Sequence, residues 1–461
     1  MSSPRMRKFS PLSAVLAILL LSGFLVGTVG GANSSAAATV RHGGHGRNKN
    51  QATSCATTTS TPNTMAIQSP CSPDVVTANQ VSAGALAGVA ISDENASVSA
   101  TSLPIQITAP GMVNVEVWTH GALATRLSAG RDHVFTGTLN LATEPTGPLS
   151  VTINAWNSQP GDNSYTVHQV AQFDLLVSGN AATIPFPAGA AGMSLAWSDE
   201  FNTLSATACK PNTGTWPNCT APTAADGFTW YENKPGGGDF GDAAFEHTDS
   251  PYNPYTVDNG FLRIRSTYDP NYVDPYGFSR HWYSGLLASA FPDGSSNAPS
   301  LQNGYYEARI LTPNASAGSN TNASGGTWPA WWMINQESLR PGAPGAVEID
   351  TTEQYGNNPF YTQAEQHNYG DATGGGSIYE GQPGPDLTQD FHRYGMLINN
   401  GTATFYLDDT PLGSIPLAAE PGITTFNWFL MLNLAMGSGW PVNPPPANYY
   451  DMWIDYVRYY H

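Results

Sequence analysis

Charge is scarce in this chain, and basic charge scarcer still. Of 461 residues only 11% are Asp, Glu, Lys or Arg, and 35 acidic residues face 17 basic ones. A net charge of −18 leaves no basic surface to neutralise phosphates, which argues against a nucleic-acid partner and is compatible with a neutral polysaccharide. Cysteine is also rare: Cys55, Cys71, Cys209 and Cys219 include no C-x-x-C pair, which argues against zinc. An even count favours disulfides in an exported chain. Of three connectivities, the local pairs Cys55–Cys71 and Cys209–Cys219 each close a short loop. Beyond the N-terminus no apolar run is long enough for a membrane-spanning helix. Long helical periodicity is nearly missing too, so an all-β chain is expected.

What is present divides the chain. Residues 1–38 read as an export signal: Arg5, Arg7 and Lys8 precede the apolar run Leu12 to Val29, then Ala36-Ala37-Ala38. A retained anchor is the alternative; cleavage would leave a secreted protein with no membrane attachment. Residues 39–79, rich in Ser, Thr, Asn and Gly, read as a low-complexity linker. Residues 80–180 alternate apolar and polar side chains in short runs such as Val113 to Val117, which predicts a smaller immunoglobulin-like β-sandwich, either a carbohydrate-binding module or a spacer. Within it, Trp118 and Trp156 are either sugar platforms or core. Residues 181–193 form a second linker, and residues 194–461 a strand-rich domain punctuated by Gly and Pro. Two stacked antiparallel sheets, a β-jelly-roll sandwich, is the expected architecture of that domain.

The densest chemistry lies in Val347-Glu348-Ile349-Asp350-Thr351-Thr352-Glu353. In a regular strand Glu348 and Asp350 share a face while Glu353 points to the other. One inserted residue, a β-bulge, would bring all three together. Two carboxyl groups on one surface suit glycosidic cleavage, one attacking the sugar carbon and the other protonating the departing oxygen; retaining enzymes hold them about 5–5.5 Å apart. A solvated acidic face or a cation site made of oxygen ligands would use the same string. With a hairpin turn at Gly356-Asn357-Asn358-Pro359, antiparallel pairing sets His367 opposite Glu348, Glu365 opposite Asp350 and Thr362 opposite Glu353, to within one residue. His367 then contacts the nucleophile or the sugar, or simply packs at the sheet edge. A charged Glu365 facing further carboxylates is uncomfortable there.

The run Glu348 to Glu353 resembles the signature of glycoside hydrolase family 16, in the longer, bulged form of laminarinase-like and agarase-like members. Further strings follow the family's order: Trp197-Ser198-Asp199-Glu200-Phe201, Asn259-Gly260-Phe261-Leu262, Gly304-Tyr305-Tyr306-Glu307, Trp328-Pro329-Ala330-Trp331-Trp332, Asp390-Phe391-His392 and Asp455-Tyr456-Val457. The resemblance spans about residues 194–461. Thr351-Thr352 depart from it, standing where hydrophobic residues are more usual.

The resemblance implies a jelly roll whose concave face carries the cleft. It also implies Glu348 as an ionised nucleophile, Glu353 as the acid and later base, and Asp350 hydrogen-bonded to Glu348. Trp328 and Trp332 match positions near the cleft and are the expected sugar-binding aromatics, with Trp230, Trp282, Tyr283 and Trp440 as further candidates. No cofactor is expected for catalysis. A structural calcium, held in some members, would here use Glu200, Gly260 and Asp455, although a salt bridge or capped turn explains the same residues. The expectation is a monomeric, retaining endo-β-glucanase for β-1,3 or mixed β-1,3/1,4 linkages. The alternatives are a transglycosylase, an exopolysaccharide or galactan depolymerase, and a non-catalytic carbohydrate-binding protein.

Overall fold

Side-chain alternation sorts the C-terminal region into two sheets. In the strand Thr327–Asn335, Trp331 and Met333 enter one apolar cluster, while Trp328, Ala330, Trp332 and Ile334 enter another. The first cluster is the inter-sheet core, built also from Val347, Ile349, Leu432, Met452 and Ile454. A fully buried side chain of this kind contributes about 2–3 kcal/mol by removal from water. The second cluster covers the opposite face of the same strand.

The computed structural model describes residues 65–68, 96–98, 101–109, 112–156, 167–299, 301–313, 326–343, 345–356, 358–369, 378–380, 386–417, 423–437, 442, 444 and 448–461. The expected signal, the Cys55–Cys71 pair, Asn357 and Trp440 lie outside them. One core sheet runs in the order Ala206–Thr207, Trp230–Tyr231, Leu286–Ala288, Trp428–Met436, Thr327–Asn335, Val347–Glu353, Gln363–Asn368, Ile378–Glu380. The other runs Ala243–Phe245, Trp282–Ser284, Phe261–Tyr268, Tyr449–Tyr460, Gly304–Leu311, His392–Asn399, Thr402–Leu407, Thr410–Pro416; Leu195–Asp199 and Tyr255–Asp258 pair alongside. The fold is all-β, a two-sheet sandwich as expected. No helix among the described residues is long and apolar enough to cross a membrane.

Two-residue turns set much of the register. Asp258 pairs with Phe261 and Asn399 with Thr402, leaving Asn259-Gly260 and Asn400-Gly401 as loops with positive φ at both residues. Asn-Gly suits that turn because glycine has no Cβ to clash and asparagine tolerates the left-handed region. Cys209 and Cys219 form the expected local disulfide.

A second sandwich precedes this one. Its sheets run Met65–Gln68, Ser102–Thr108, Val134–Asn140, Ser128–Ala129 and Ala96–Val98, Val167–Val177, Gly147–Trp156, Asn114–Thr119, Ala122–Arg126. Between them lies a separate core that includes Ile105, Val115, Val117, Phe135, Val151 and Ile153. The Met65–Gln68 strand, parallel to Ser102–Thr108, comes from the stretch read as linker. Both sandwiches fall within one compact unit. Leu176 joins Phe261, Leu311 and Trp453 in a shared apolar cluster. The Trp453 indole N–H donates to Asp174 at 3.0 Å, and His120 bridges Glu144 and Asp390 at 2.8 Å each. Phe261 and Trp453 lie on the face of their sheet turned away from the inter-sheet core, where Leu262 and Met452 point the other way.

Burial at this junction, and then the Asp451 charge, push the Asp174 carboxyl up to about 7. A carboxyl raised in the folded state stabilises fully below its unfolded value near 4 and loses that contribution as pH climbs to about 7. Asp174→Asn keeps the acceptor for Trp453 and removes the penalty. Its melting temperature should exceed wild type by about 3 °C at pH 8 and show no gain at pH 4.5; a larger gain at the acidic pH would contradict this account.

Candidate active site

The Val347–Glu353 strand pairs with Thr327–Asn335 on one side and Gln363–Asn368 on the other, and both ladders break at the same place. Trp331 pairs with Thr352 but Trp332 with Asp350; Asp350 pairs with Glu365 but Glu353 with Gln363. This is the expected bulge. Thr351 is the extra residue, and both threonines are buried. The Thr351 hydroxyl approaches the Met396 sulfur in the inter-sheet core, and the Thr352 and Thr362 hydroxyls share a short hydrogen bond. With these two accommodated, Glu353 emerges on the face that carries Asp350 and Glu348.

The cross-strand expectations follow the same register. His367 stands opposite Glu348 and Glu365 opposite Asp350, while Glu353 faces Gln363, one residue from the expected Thr362. One atom each from Asp350, Glu353, Glu365 and His367 lies within 4.8 Å of the others. His367 is the cation of this group: its Nε2 is 2.8 Å from Glu365 Oε2 and 3.4 Å from Asp350 Oδ2. Asp350 Oδ2 has no hydrogen-bond partner nearer than that.

Every acid of the Val347–Glu353 strand is pushed up. Glu348 rises to about 8 through burial and the neighbouring Asp350, opposed by His367, Lys234 and the Tyr369 hydroxyl. Asp350 rises to about 7 through burial and Glu353. Glu353 rises to about 7 through burial, then Glu365, with Glu348 adding to it; the Trp328 hydrogen bond and His367 pull it back. Burial works against charge on His367, yet its bonds to Asp350 and Glu365 push it up to about 11. The simple expectation of an ionised Glu348 beside a protonated Glu353 is therefore not imposed by burial, which raises both.

The aromatic surround is specific. Trp328 donates its indole N–H to Glu353 Oε1 at 2.7 Å, and the Tyr355 hydroxyl donates to Oε2 at 3.3 Å. Trp332 shares that face but is only 6% exposed, its N–H given to Asn433 at 2.7 Å. It is bonded within the sheet, whereas Trp328 touches Glu353 directly. Trp230 and Trp282 are buried core residues; Trp230 donates to Asp199. Tyr283 packs between Tyr252 and Tyr272, away from the carboxylates.

Sequence reasoning passed over Tyr369, whose hydroxyl donates to Glu348 Oε1 at 3.3 Å and whose ring stacks on His367. It lies two residues beyond His367, so alternation along that strand could have found it. Phe240 was also missed. It meets Trp328 and Trp332 with ring centroids 5.5 and 6.0 Å away, from a loop with no local signature.

The residues expected to hold calcium are engaged otherwise. Glu200 forms a two-pronged pair with Arg458 at 2.8 and 2.9 Å, and Asp455 pairs with Arg309 at 2.7 Å. Gly260 belongs to the Asn-Gly turn described above. Both carboxylates are thus paired with guanidinium groups, the arrangement that the salt-bridge alternative describes.

Residues 294–458 match the family model described as "Glycosyl hydrolases family 16". The chain is 26% identical over 275 residues to an endo-1,3-1,4-beta-glycanase of Rhizobium meliloti, covering 57% of this chain and 51% of that protein. It is 27% identical over 297 residues to a glucan endo-1,3-beta-glucosidase A1 of Niallia circulans, covering 59% and 38%. The chain thus spans about half or less of the length of these curated relatives. A solved catalytic domain of an endo-1,3-beta-glucanase from Thermotoga petrophila is 23% identical, with a TM-score of 0.41 over 58% of this chain and 98% of that one. With the bulged acidic strand inside the matched span, residues 294–458 of this chain are a domain of glycosyl hydrolases family 16.

Proposed function

We propose that the protein is a secreted, monomeric, retaining endo-hydrolase of β-glucan, acting on β-1,3 or mixed β-1,3/1,4 linkages. The observation that carries this reading is the bulge that turns Glu348 and Glu353 to one aromatic-lined face. The relatives named for 1,3- and 1,3-1,4-glucan cleavage support the substrate class.

In the proposed reaction, a Glu348 oxygen attacks the anomeric carbon while Glu353 gives its proton to the departing glycosidic oxygen, leaving a glycosyl ester. Glu353, now anionic, removes a proton from water, whose oxygen displaces Glu348 and restores both groups. Two inversions give net retention. Glu353 holds its starting proton because burial and Glu365 raise it. The ionised form of Glu348 is favoured by His367, Lys234 and Tyr369, and Asp350 is the neighbour that can share a proton with it. Trp328 both fixes Glu353 and offers a flat ring against which a pyranose can pack. No cofactor enters these steps. We read the N-terminal sandwich as an immunoglobulin-like spacer, since it packs on the side of the catalytic sandwich away from the carboxylates.

The test is incubation of the protein with laminarin, lichenan, agarose and an exopolysaccharide panel, following new reducing ends. Glucans should yield oligosaccharides of several lengths from the start, with the β-anomer appearing first by NMR. Glu348→Gln should lower kcat/KM on the order of 10⁴-fold and Glu353→Gln roughly 10²–10⁴-fold. Binding without new ends would support the carbohydrate-binding alternative, and an initial α-anomer would exclude the retaining route.

A second prediction concerns pH. Because the Trp328 hydrogen bond lowers the Glu353 pKa, Trp328→Phe should move the alkaline limb of kcat/KM upward by about half to one pH unit. A limb that stays in place or moves down would break the link between that indole and the acid.

A further inference from the structure

Glu365 is the fourth carboxylate on the catalytic face, and the reaction proposed above gives it no step. It reaches that face because Gln363–Asn368 alternates: Ala364 enters the inter-sheet core, and Glu365 and His367 stand on the other side. Its residue is 6% exposed, and its Oε2 accepts from His367 Nε2 at 2.8 Å, closer than Asp350 Oδ2 at 3.4 Å. One N–H thus faces two carboxylates and is committed to Glu365.

We infer that Glu365 is a positioning residue: it takes the closer contact with the His367 imidazolium, which it shares with Asp350, and keeps an additional negative charge beside Glu353. This rests on the hydrolase reading with Glu353 as the acid. With the imidazolium nearer Glu365, Asp350 Oδ2 keeps only the longer 3.4 Å pairing with His367 and can still turn to Glu348. The extra negative charge favours the protonated form of Glu353, the form that begins the reaction.

Among the described residues, the groups facing this pair are few. Glu348, Asp350, Glu353 and Tyr355 come from the Val347–Glu353 strand and its turn, and Tyr369 from just beyond the strand of Glu365. Trp328 reaches in from Thr327–Asn335, and the charge of Lys234 is felt at Glu348. On the outer side the Ile378–Glu380 strand sets Ile378 opposite Glu365 and Glu380 opposite Gln363.

The experiment uses the full chain with Glu365→Gln, Glu365→Thr as a second neutral variant compatible with a strand, and Glu365→Asp, which keeps the charge. Two readouts are followed: the alkaline limb of kcat/KM on laminarin, and the His367 titration by ¹⁵N-histidine NMR, assigned with His367→Asn. In folded E365Q or E365T the limb should move to lower pH by about half to one unit, and the His367 midpoint should fall by about one unit or more. E365D should leave the limb close to wild type. A uniform activity loss at every pH with an unmoved limb would reduce Glu365 to a structural part of the strand and overturn the proposal, as would an unmoved His367 midpoint in both neutral variants. The NMR arm needs no turnover, so a wild type that cleaves no glycan would sink the hydrolase reading while the Glu365–His367 pairing is still decided.

Discussion

The candidate site depends on one broken register. Between Asp350 and Glu353 the strand spends three steps where its neighbour spends two, and without that extra residue Glu353 would project into the inter-sheet core. The extra residue, Thr351, and its neighbour Thr352 are both buried in the displaced segment. Their hydroxyls are satisfied locally, by the Met396 sulfur and by Thr362. The departure from the usual hydrophobic pair is thus a change in how the bulge is packed and leaves its geometry intact.

Gathering the acids on one half-buried face has an electrostatic cost that the neighbouring strand offsets. Desolvation and mutual repulsion favour neutral carboxyls, while His367 favours charged ones. The aromatic groups act at individual oxygens: Trp328 and Tyr355 on Glu353, Tyr369 on Glu348. The protonation pattern therefore belongs to the whole face, and the two glutamates are not separated by burial.

Much of this was legible in the chain. Alternation and turn chemistry located the acidic strand, required the bulge, and set His367 and Glu365 in register to within one residue. The adjacent Trp331 and Trp332 had to face opposite ways, and they do. Illegible were the relations that depend on distant loops. Phe240 reaches Trp328 and Trp332 across some ninety residues of sequence, and Arg458 and Arg309 claim Glu200 and Asp455 through sheet neighbours that no local pattern announces. The shared upward shift of the carboxyls was hidden too, since it comes from burial and summed fields and not from any one spacing.

The Leu176, Phe261, Leu311 and Trp453 cluster fixes how the protein can be divided. Cutting the chain between the sandwiches would wet an indole and a phenyl ring and strip Trp453 of its acceptor. The domain boundary legible in composition is therefore a poor place for scissors: a recombinant C-terminal fragment would carry a sticky back, whereas the intact pair presents that back already covered, with the acidic strand on the opposite sheet.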